Sequence, residues 1–311
     1  MKSPLSLRLL RFFLAMAVCW LPGLAAAAPK PESKPVYVAT IGPVASLLGR
    51  VLGDRAVVHT LLKPGANPHT YEPRPSDLLA VEKAQALVMV SPLLEPYAAQ
   101  LTTRARLSLF DLVPPDLRLR YGAGEHHDHG EASNRSGHHH PDHEQEGGYD
   151  PHFWLDPLAV KAVAPGLATW LCGRDAPSCP AYQRNAEALS ADLDRLHQEI
   201  SGVLRPTLGR PLMLVYPCLR YFVHRYRLEV AGVVVKNPGK EPTPGEIRDA
   251  ISIATARGVK VLLSSSELPR RPGDLVAESS GAVVVILDPL AGGDYFAMMR
   301  RNQQVLTKAM P

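Results

Sequence analysis

The sequence is poor in cysteine and in aromatic residues, and its charges nearly cancel. It has four cysteines and 6% aromatic residues in 311 positions, with 46% hydrophobic residues. A chain of this length can bury ample core for two domains without a dense disulfide framework. Residues 1–28 contain three of the 34 basic residues and no acidic one, which leaves 31 basic against 30 acidic residues. This balance argues against a nucleic-acid partner.

No apolar run after residue 28 approaches the length of about 18 residues that a membrane-spanning helix needs. The first 28 residues have the order of a secretory signal peptide. Three basic residues precede an apolar run at 12–21, and small residues follow at 23–28. We therefore expect cleavage near residues 26–28 and a mature protein in the periplasm.

Three cysteines remain after that cleavage. Cys172 and Cys179 are separated by six residues, and in an oxidising compartment they could form a local disulfide. A zinc knuckle would need a second close pair of cysteines. Cys218 is then left without a partner, and we expect it to be a small buried residue.

Strand and helix patterns alternate along the chain, which predicts an α/β fold with parallel sheets. Strands are predicted at 36–40, 57–62, 86–90, 107–112, 211–215, 228–235, 260–263 and 282–287. Helices are predicted at 44–52, 77–84, 94–101, 158–171, 180–204, 219–226, 244–256, 273–279 and 295–309. Ser76 is expected to cap the second helix, and Thr243 with Glu246 to form a capping box on the seventh.

The pattern predicts two doubly wound lobes joined by a long, rigid helix. The expected boundaries are a signal peptide at 1–28, an N-terminal lobe at 29–179, a linking helix at 180–205 and a C-terminal lobe at 206–311. Residues 122–148 lack periodicity and are predicted to be a disordered loop within the first lobe. Seven of the twelve histidines lie at 125–143, where they would act as a low-affinity metal collector.

Four potential metal ligands lie in loops or directly after predicted strands. His69 is in a proline-rich loop, His152 lies between two prolines and beside two aromatic residues, and Tyr216 and Asp288 each follow a strand. Each of these residues also has a simple structural explanation, such as a packed histidine or a turn. Together they are suited to a metal site in the cleft between the lobes.

Four stretches resemble the zinc and manganese solute-binding proteins of bacterial ABC importers. They are PGANPHTYEP at 64–73, HFWLDP at 152–157, PGKEPTP at 238–244 and VVILDPL at 284–290. The resemblance covers nearly the whole mature chain. It implies two lobes, a long connecting helix, a metal in the cleft and delivery of that metal to a membrane permease.

By this resemblance the metal ligands fall on His69, His152 and Asp288, but the remaining ligand position carries Tyr216 instead of histidine or glutamate. Tyr216 could bind as a phenolate, which favours ferric iron. It could stay neutral, with water or Cys218 completing the site, which is the alternative we favour. Or the site could be weakened in favour of the histidine loop. Glu267 is either an auxiliary acid or an exposed residue at the start of a helix.

The sequence thus predicts a periplasmic protein that binds Zn²⁺, with Mn²⁺ and iron as alternatives, and delivers it to an ABC importer. A metallochaperone is a further candidate partner, and we expect a monomer. An adhesin or metal-storage protein of the same fold is the first rival. A metallohydrolase is the second, but the chain has no His-Glu-x-x-His motif to supply a general base. We therefore do not expect an enzyme.

Overall fold

The computed structural model describes residues 34–121, 148–236, 240–290 and 293–310. The predicted signal peptide lies outside these ranges, and so does the predicted histidine-rich loop apart from Gly148. In the described residues, no helix is both long enough and apolar enough to cross a membrane.

The first lobe is a parallel sheet with flanking helices. Its four strands have the order β2-β1-β3-β4. β3 is buried along its whole length, as expected for an apolar strand covered on both faces. The elements in chain order are β1 (Val36–Ala39), α1 (Gly42–Leu52), β2 (Val57–Thr60), α2 (Pro75–Lys83), β3 (Ala86–Met89), α3 (Pro96–Gln100), β4 (Arg106–Ser108) and α4 (Pro157–Cys172).

A single helix, α5 (Cys179–Leu204), leads from the first lobe to the second. Its 26 residues span about 39 Å at roughly 1.5 Å per residue. Leu189, Leu193, Leu196 and Ile200 form its buried stripe at helical spacing. The predicted long helix is confirmed, whereas the predicted domain boundaries, including those of a linking helix at 180–205, stay predictions.

The second lobe repeats the architecture, with four parallel strands in the order β6-β5-β7-β8. Its helices flank this sheet, so the predicted α/β class with two parallel-sheet lobes is confirmed. The elements are β5 (Leu212–Leu214), α6 (Arg220–Arg225), β6 (Val230–Val233), α7 (Pro244–Ala256), β7 (Val261–Ser265), α8 (Arg271–Ser280), β8 (Val283–Leu287) and α9 (Tyr295–Ala309).

Two local predictions differ from the structure. Ser76 does not cap α2, because Arg74 is the N-cap and Pro75 takes the first helical position. The carboxylate of Asp77 accepts a hydrogen bond from the backbone N–H of Arg74 at 2.8 Å. The start of α2 is therefore stabilised by Asp77 and not by the hydroxyl of Ser76. The strand predicted at 107–112 ends early, and a short 3₁₀ turn, Leu109–Leu112, follows β4.

The cysteine predictions are confirmed. Cys172 and Cys179 form a disulfide that connects the end of α4 to the start of α5. Cys218 is free and buried.

Candidate metal centre

His152 lies in a buried turn that leads into α4, and Asp150 holds its ring. The Oδ1 atom of Asp150 accepts a hydrogen bond from the backbone N–H of His152 at 2.9 Å and lies 2.7 Å from Nδ1 of the same histidine. Both side chains are buried. A carboxylate at Nδ1 orients the imidazole and leaves Nε2 available to bind a metal. Asp150 was not among the predicted site residues, although the Asp-Pro-His spacing is a signal that could have found it.

His69 follows β2 and lies beside His152. Its backbone N–H donates to Oδ1 of Asn67 at 2.9 Å, which stabilises the loop around Pro68. The ring centroids of His69 and His152 are 5.5 Å apart, with an interplanar angle of 47°. The structure therefore brings together the two histidines that the sequence placed 83 positions apart.

The surroundings of His69 favour its neutral form. The residue is exposed, although its ring lies beside that of His152. Partial loss of hydration is the main reason that the pKa of His69 is lowered to about 4. Neighbouring His152 lowers the pKa further, while Asp150 acts in the opposite direction. At neutral pH His69 is consequently uncharged, which is the form that binds a metal ion.

Asp288 directly follows β8 and is exposed. Its backbone N–H donates to Oδ1 of Asn302 at 2.8 Å, and Nδ2 of Asn302 donates to the carbonyl of Asp288 at 2.9 Å. The backbone N–H of Leu290 donates to Oδ1 of Asp288 at 3.1 Å. These contacts hold the carboxylate in place. Its Oδ2 atom has no hydrogen bond within the described residues and is able to accept a cation.

The turn that carries His152 packs directly against the loop that carries Asp288. The indole N–H of Trp154 donates to the carbonyl of Pro289 at 2.9 Å. The hydroxyl of Tyr295 donates to the carbonyl of Trp154 at 2.8 Å. The segment that carries His152 and the segment that carries Asp288 are therefore in direct contact.

Tyr216 follows β5, but its hydroxyl is bonded to protein. The hydroxyl donates to the carbonyl of Pro269 at 3.2 Å, and the residue is 4% exposed. Burial raises the pKa of Tyr216, and the nearby Cys218 and Glu241 add to this effect. The phenolate form that iron would require is thus disfavoured in the metal-free protein.

Two further ionisable groups, Glu267 and Cys218, follow strands of the second sheet. Glu267 is half-buried, and the hydroxyls of Ser265 and Ser266 both donate to its Oε2 atom. Burial raises the pKa of Glu267, while His152 lowers it and Asp288 raises it further. Cys218 is buried, and this burial raises the pKa of its thiol well above the ordinary value. The thiol is therefore not poised to become a thiolate ligand.

The four predicted ligands do not form a closed site. Among the residues that the structure describes, no group of three or more His, Cys, Asp or Glu side chains lies close enough to hold a metal ion. The rings of His69 and His152 lie beside each other, and Asp288 precedes the Pro289 that contacts the His152 turn. The hydroxyl of Tyr216 bonds instead to Pro269.

A family model for the zinc-uptake complex component A, periplasmic, matches residues 38–309, which is most of the chain. The chain belongs to this family. Among curated members of similar sequence is the high-affinity zinc uptake system protein ZnuA of Brucella abortus. It is 25% identical over 318 residues, an alignment that covers 93% of this chain and 95% of that protein.

Another similar member is the zinc-binding protein AdcA of Streptococcus pyogenes, 24% identical over 289 residues. That alignment covers 88% of this chain but 56% of AdcA, so the chain spans little more than half the length of that relative. Among solved structures of the family, a ZnuA deletion mutant with zinc bound is 25% identical and has a TM-score of 0.71. The match covers 89% of this chain and 98% of that structure.

Proposed function

We propose that this chain is an exported binding protein that captures a divalent transition metal, chiefly Zn²⁺, and delivers it to the permease of an ABC importer. Membership of the zinc-uptake component A family supports this proposal, as do relatives named for zinc binding and zinc uptake. The observation that carries it is the adjacent pair His69 and His152, with Asp150 behind the second ring.

In this proposal His69, His152 and Asp288 bind the metal. Two imidazoles and a carboxylate form an adequate zinc site, and zinc usually takes a fourth ligand. Tyr216, Cys218 and water are the candidates that the sequence offers for the fourth position. The proposed role is binding and release, not catalysis, because a transport protein must hold its cargo reversibly.

Manganese and iron are alternative cargoes in this proposal. We do not favour ferric iron bound by a Tyr216 phenolate, because the pKa of Tyr216 is raised and its hydroxyl donates a hydrogen bond to the carbonyl of Pro269. The two imidazoles favour zinc over manganese, because manganese prefers oxygen ligands.

The proposed partner is a membrane permease, with a metallochaperone as a second candidate donor of metal. We propose a monomer in the periplasm, reached through the predicted signal peptide. Light scattering of the mature chain tests the oligomeric state. Zinc accumulation in cells with and without the gene separates transport from an adhesin or storage role, because only a transport protein should change uptake.

Metal binding by variants of the mature chain tests the site. His69→Ala and His152→Ala should each weaken Zn²⁺ binding by at least about 100-fold. Loss of a residue that only hydrogen-bonds to a metal ligand typically weakens binding about 10- to 100-fold, and loss of a ligand itself should cost more. The measurement is titration of the metal-stripped protein in competition with a chelator of known affinity.

His59→Ala is the matched control, because His59 lies exposed on the edge strand β2. Its affinity should equal that of the unaltered chain. If the unaltered chain failed to bind Zn²⁺, or if His59→Ala caused the larger loss, the proposed function or its site would be wrong.

A further inference from the structure

We infer that Glu267, and not Tyr216, supplies the fourth protein ligand of the bound metal. This inference rests on the proposed function and identifies the donor that completes the site. It makes the site one of two histidines and two carboxylates, with both carboxylates from the second lobe.

Strand order places Glu267 next to Asp288. β7 lies between β5 and β8, and Ser265 pairs with Leu287 at the ends of β7 and β8. The backbone N–H of Ser266 then donates to the carbonyl of Leu287 at 3.0 Å. The two strands therefore end at the same edge of the sheet, β7 two residues before Glu267 and β8 one residue before Asp288.

Tyr216 starts from a more distant strand. It follows β5, which is two strands from β8, whereas Glu267 follows the adjacent strand β7. Neighbouring strands are about 4.8 Å apart, so the backbone of Tyr216 begins about 10 Å from that of Asp288, and that of Glu267 about 5 Å. Because Trp154 bonds to Pro289, the His152 turn lies at the Asp288 end of this edge.

The electrostatic surroundings of the two candidates agree with these positions. The charges of His152 and Asp288 both act on the carboxyl of Glu267. The groups that act on the hydroxyl of Tyr216 are instead Cys218 and Glu241. The carboxyl of Glu267 is thus close enough to one proposed ligand from each lobe to be influenced by its charge.

The hydrogen bonds of Glu267 leave one oxygen for a metal. Ser265 and Ser266 donate to Oε2, and no hydrogen bond to Oε1 occurs within the described residues. The two serine hydroxyls would orient the carboxylate of Glu267 as a ligand, in the way that Asp150 orients the ring of His152. Two carboxylates also balance the charge of a divalent ion, whereas a neutral phenol would leave a net positive charge in the cleft.

Glu267→Gln and Tyr216→Phe separate the two candidates. Each keeps the size of its side chain, and Gln can still accept from Ser265. In chelator-competition titrations with Zn²⁺, we expect Glu267→Gln to weaken binding by at least about tenfold, the lower end of the range for groups around a metal. With Co²⁺ as a spectroscopic substitute, the visible absorption bands of Glu267→Gln should shift, and those of Tyr216→Phe should match the unaltered chain.

Glu278→Gln, an exposed acid on α8, is the matched control for loss of charge. Thermal unfolding of each metal-free variant shows whether it folds. The inference is overturned if Glu267→Gln keeps both its affinity and its cobalt bands, or if Tyr216→Phe shifts those bands. If both variants lose affinity, a band shift confined to Glu267→Gln supports the inference. Failure of the unaltered chain to bind Zn²⁺ would instead refute the proposed function.

Discussion

At the scale of single residues, the buried carboxyl groups of Asp150 and Glu95 differ in their surroundings. Asp150 orients His152 through Nδ1. Glu95, at the end of the first-lobe sheet, is fully buried and accepts hydrogen bonds at Oε2 from the backbone N–H groups of Val90 and Ser91, at 2.8 and 3.2 Å. Among the residues that the structure describes, none forms a hydrogen bond with its Oε1 atom. Asp150 thus has the imidazole of His152 beside it, whereas two backbone N–H groups donate to Glu95.

The pKa of Glu95 should make stability depend on pH. Burial raises this pKa from 4.5 to about 7. A carboxyl with a higher pKa in the folded than in the unfolded chain stabilises the fold when it is protonated, and this stability is lost as the pH rises from about 4.5 through about 7. The loss should approach about 3 kcal/mol, because one pKa unit corresponds to about 1.4 kcal/mol.

Glu95→Gln isolates this effect, because glutamine cannot ionise. In urea unfolding of the metal-free proteins, the variant should gain about 3 kcal/mol relative to the unaltered chain between pH of about 4 and about 8. A stability difference that does not change with pH would show that Glu95 has the same pKa in the folded and unfolded states.

At the scale of elements, the ends of strands and helices position the site. The strands β7 and β8 end side by side and present Glu267 and Asp288. Helix ends are held by local chemistry: Thr243 and Glu246 form the predicted capping box at α7, and the side chain of Asp156 caps α4 by accepting from Leu158. The disulfide joins the opposite end of α4 to α5.

Removal of the disulfide should destabilise the fold without changing the metal site. Cys172 lies at the far end of α4 from the His152 turn, and the 16 residues of the helix span about 24 Å. The disulfide closes a short loop, with six residues between its two cysteines. Closing such a loop lowers the entropy of the unfolded chain and stabilises the folded protein by about 2 to 3 kcal/mol. Denaturant unfolding of a Cys172→Ala, Cys179→Ala double variant should show this loss, while its Zn²⁺ affinity stays unchanged.

The reduced form of the unaltered chain is the control for that experiment, and it should match the double variant in stability. A variant that also lost Zn²⁺ affinity would show that the disulfide supports the site through the length of α4.

At the scale of the whole molecule, a small number of buried polar contacts connect the lobes. Arg225 of α6 donates from Nε and Nη2 to the carboxylate of Asp156, both at 2.6 Å. The backbone N–H of Leu119 donates to the hydroxyl of Tyr221 at 2.9 Å. The Asp156 side chain is 4% exposed and that of Arg225 is 21% exposed, so water screens this ion pair little.

Arg225→Met should destabilise the protein by about 3 to 5 kcal/mol, because it leaves the carboxylate of Asp156 buried without its partner. Denaturant unfolding of the metal-free protein measures this loss. The double variant Asp156→Asn, Arg225→Met should recover part of it, since the charge is then removed as well.

Arg300→Met is the matched control, because Arg300 forms an exposed ion pair with Glu199. Pairs of this kind contribute less than about 1 kcal/mol. An equal effect of the Arg225 and Arg300 substitutions would contradict the special role of the buried pair.

The sequence by itself determined the fold class, most element boundaries and the candidate ligands His69, His152 and Asp288, and it left the disulfide as a possibility. Periodicity, proline and capping residues act locally, so their effect can be read along the chain. Only the tertiary structure decided that Asp150 holds His152, that Tyr216 bonds to Pro269, and that Glu267 lies beside Asp288. Those contacts depend on strand order and on packing between lobes, which join residues far apart in sequence and leave no local pattern.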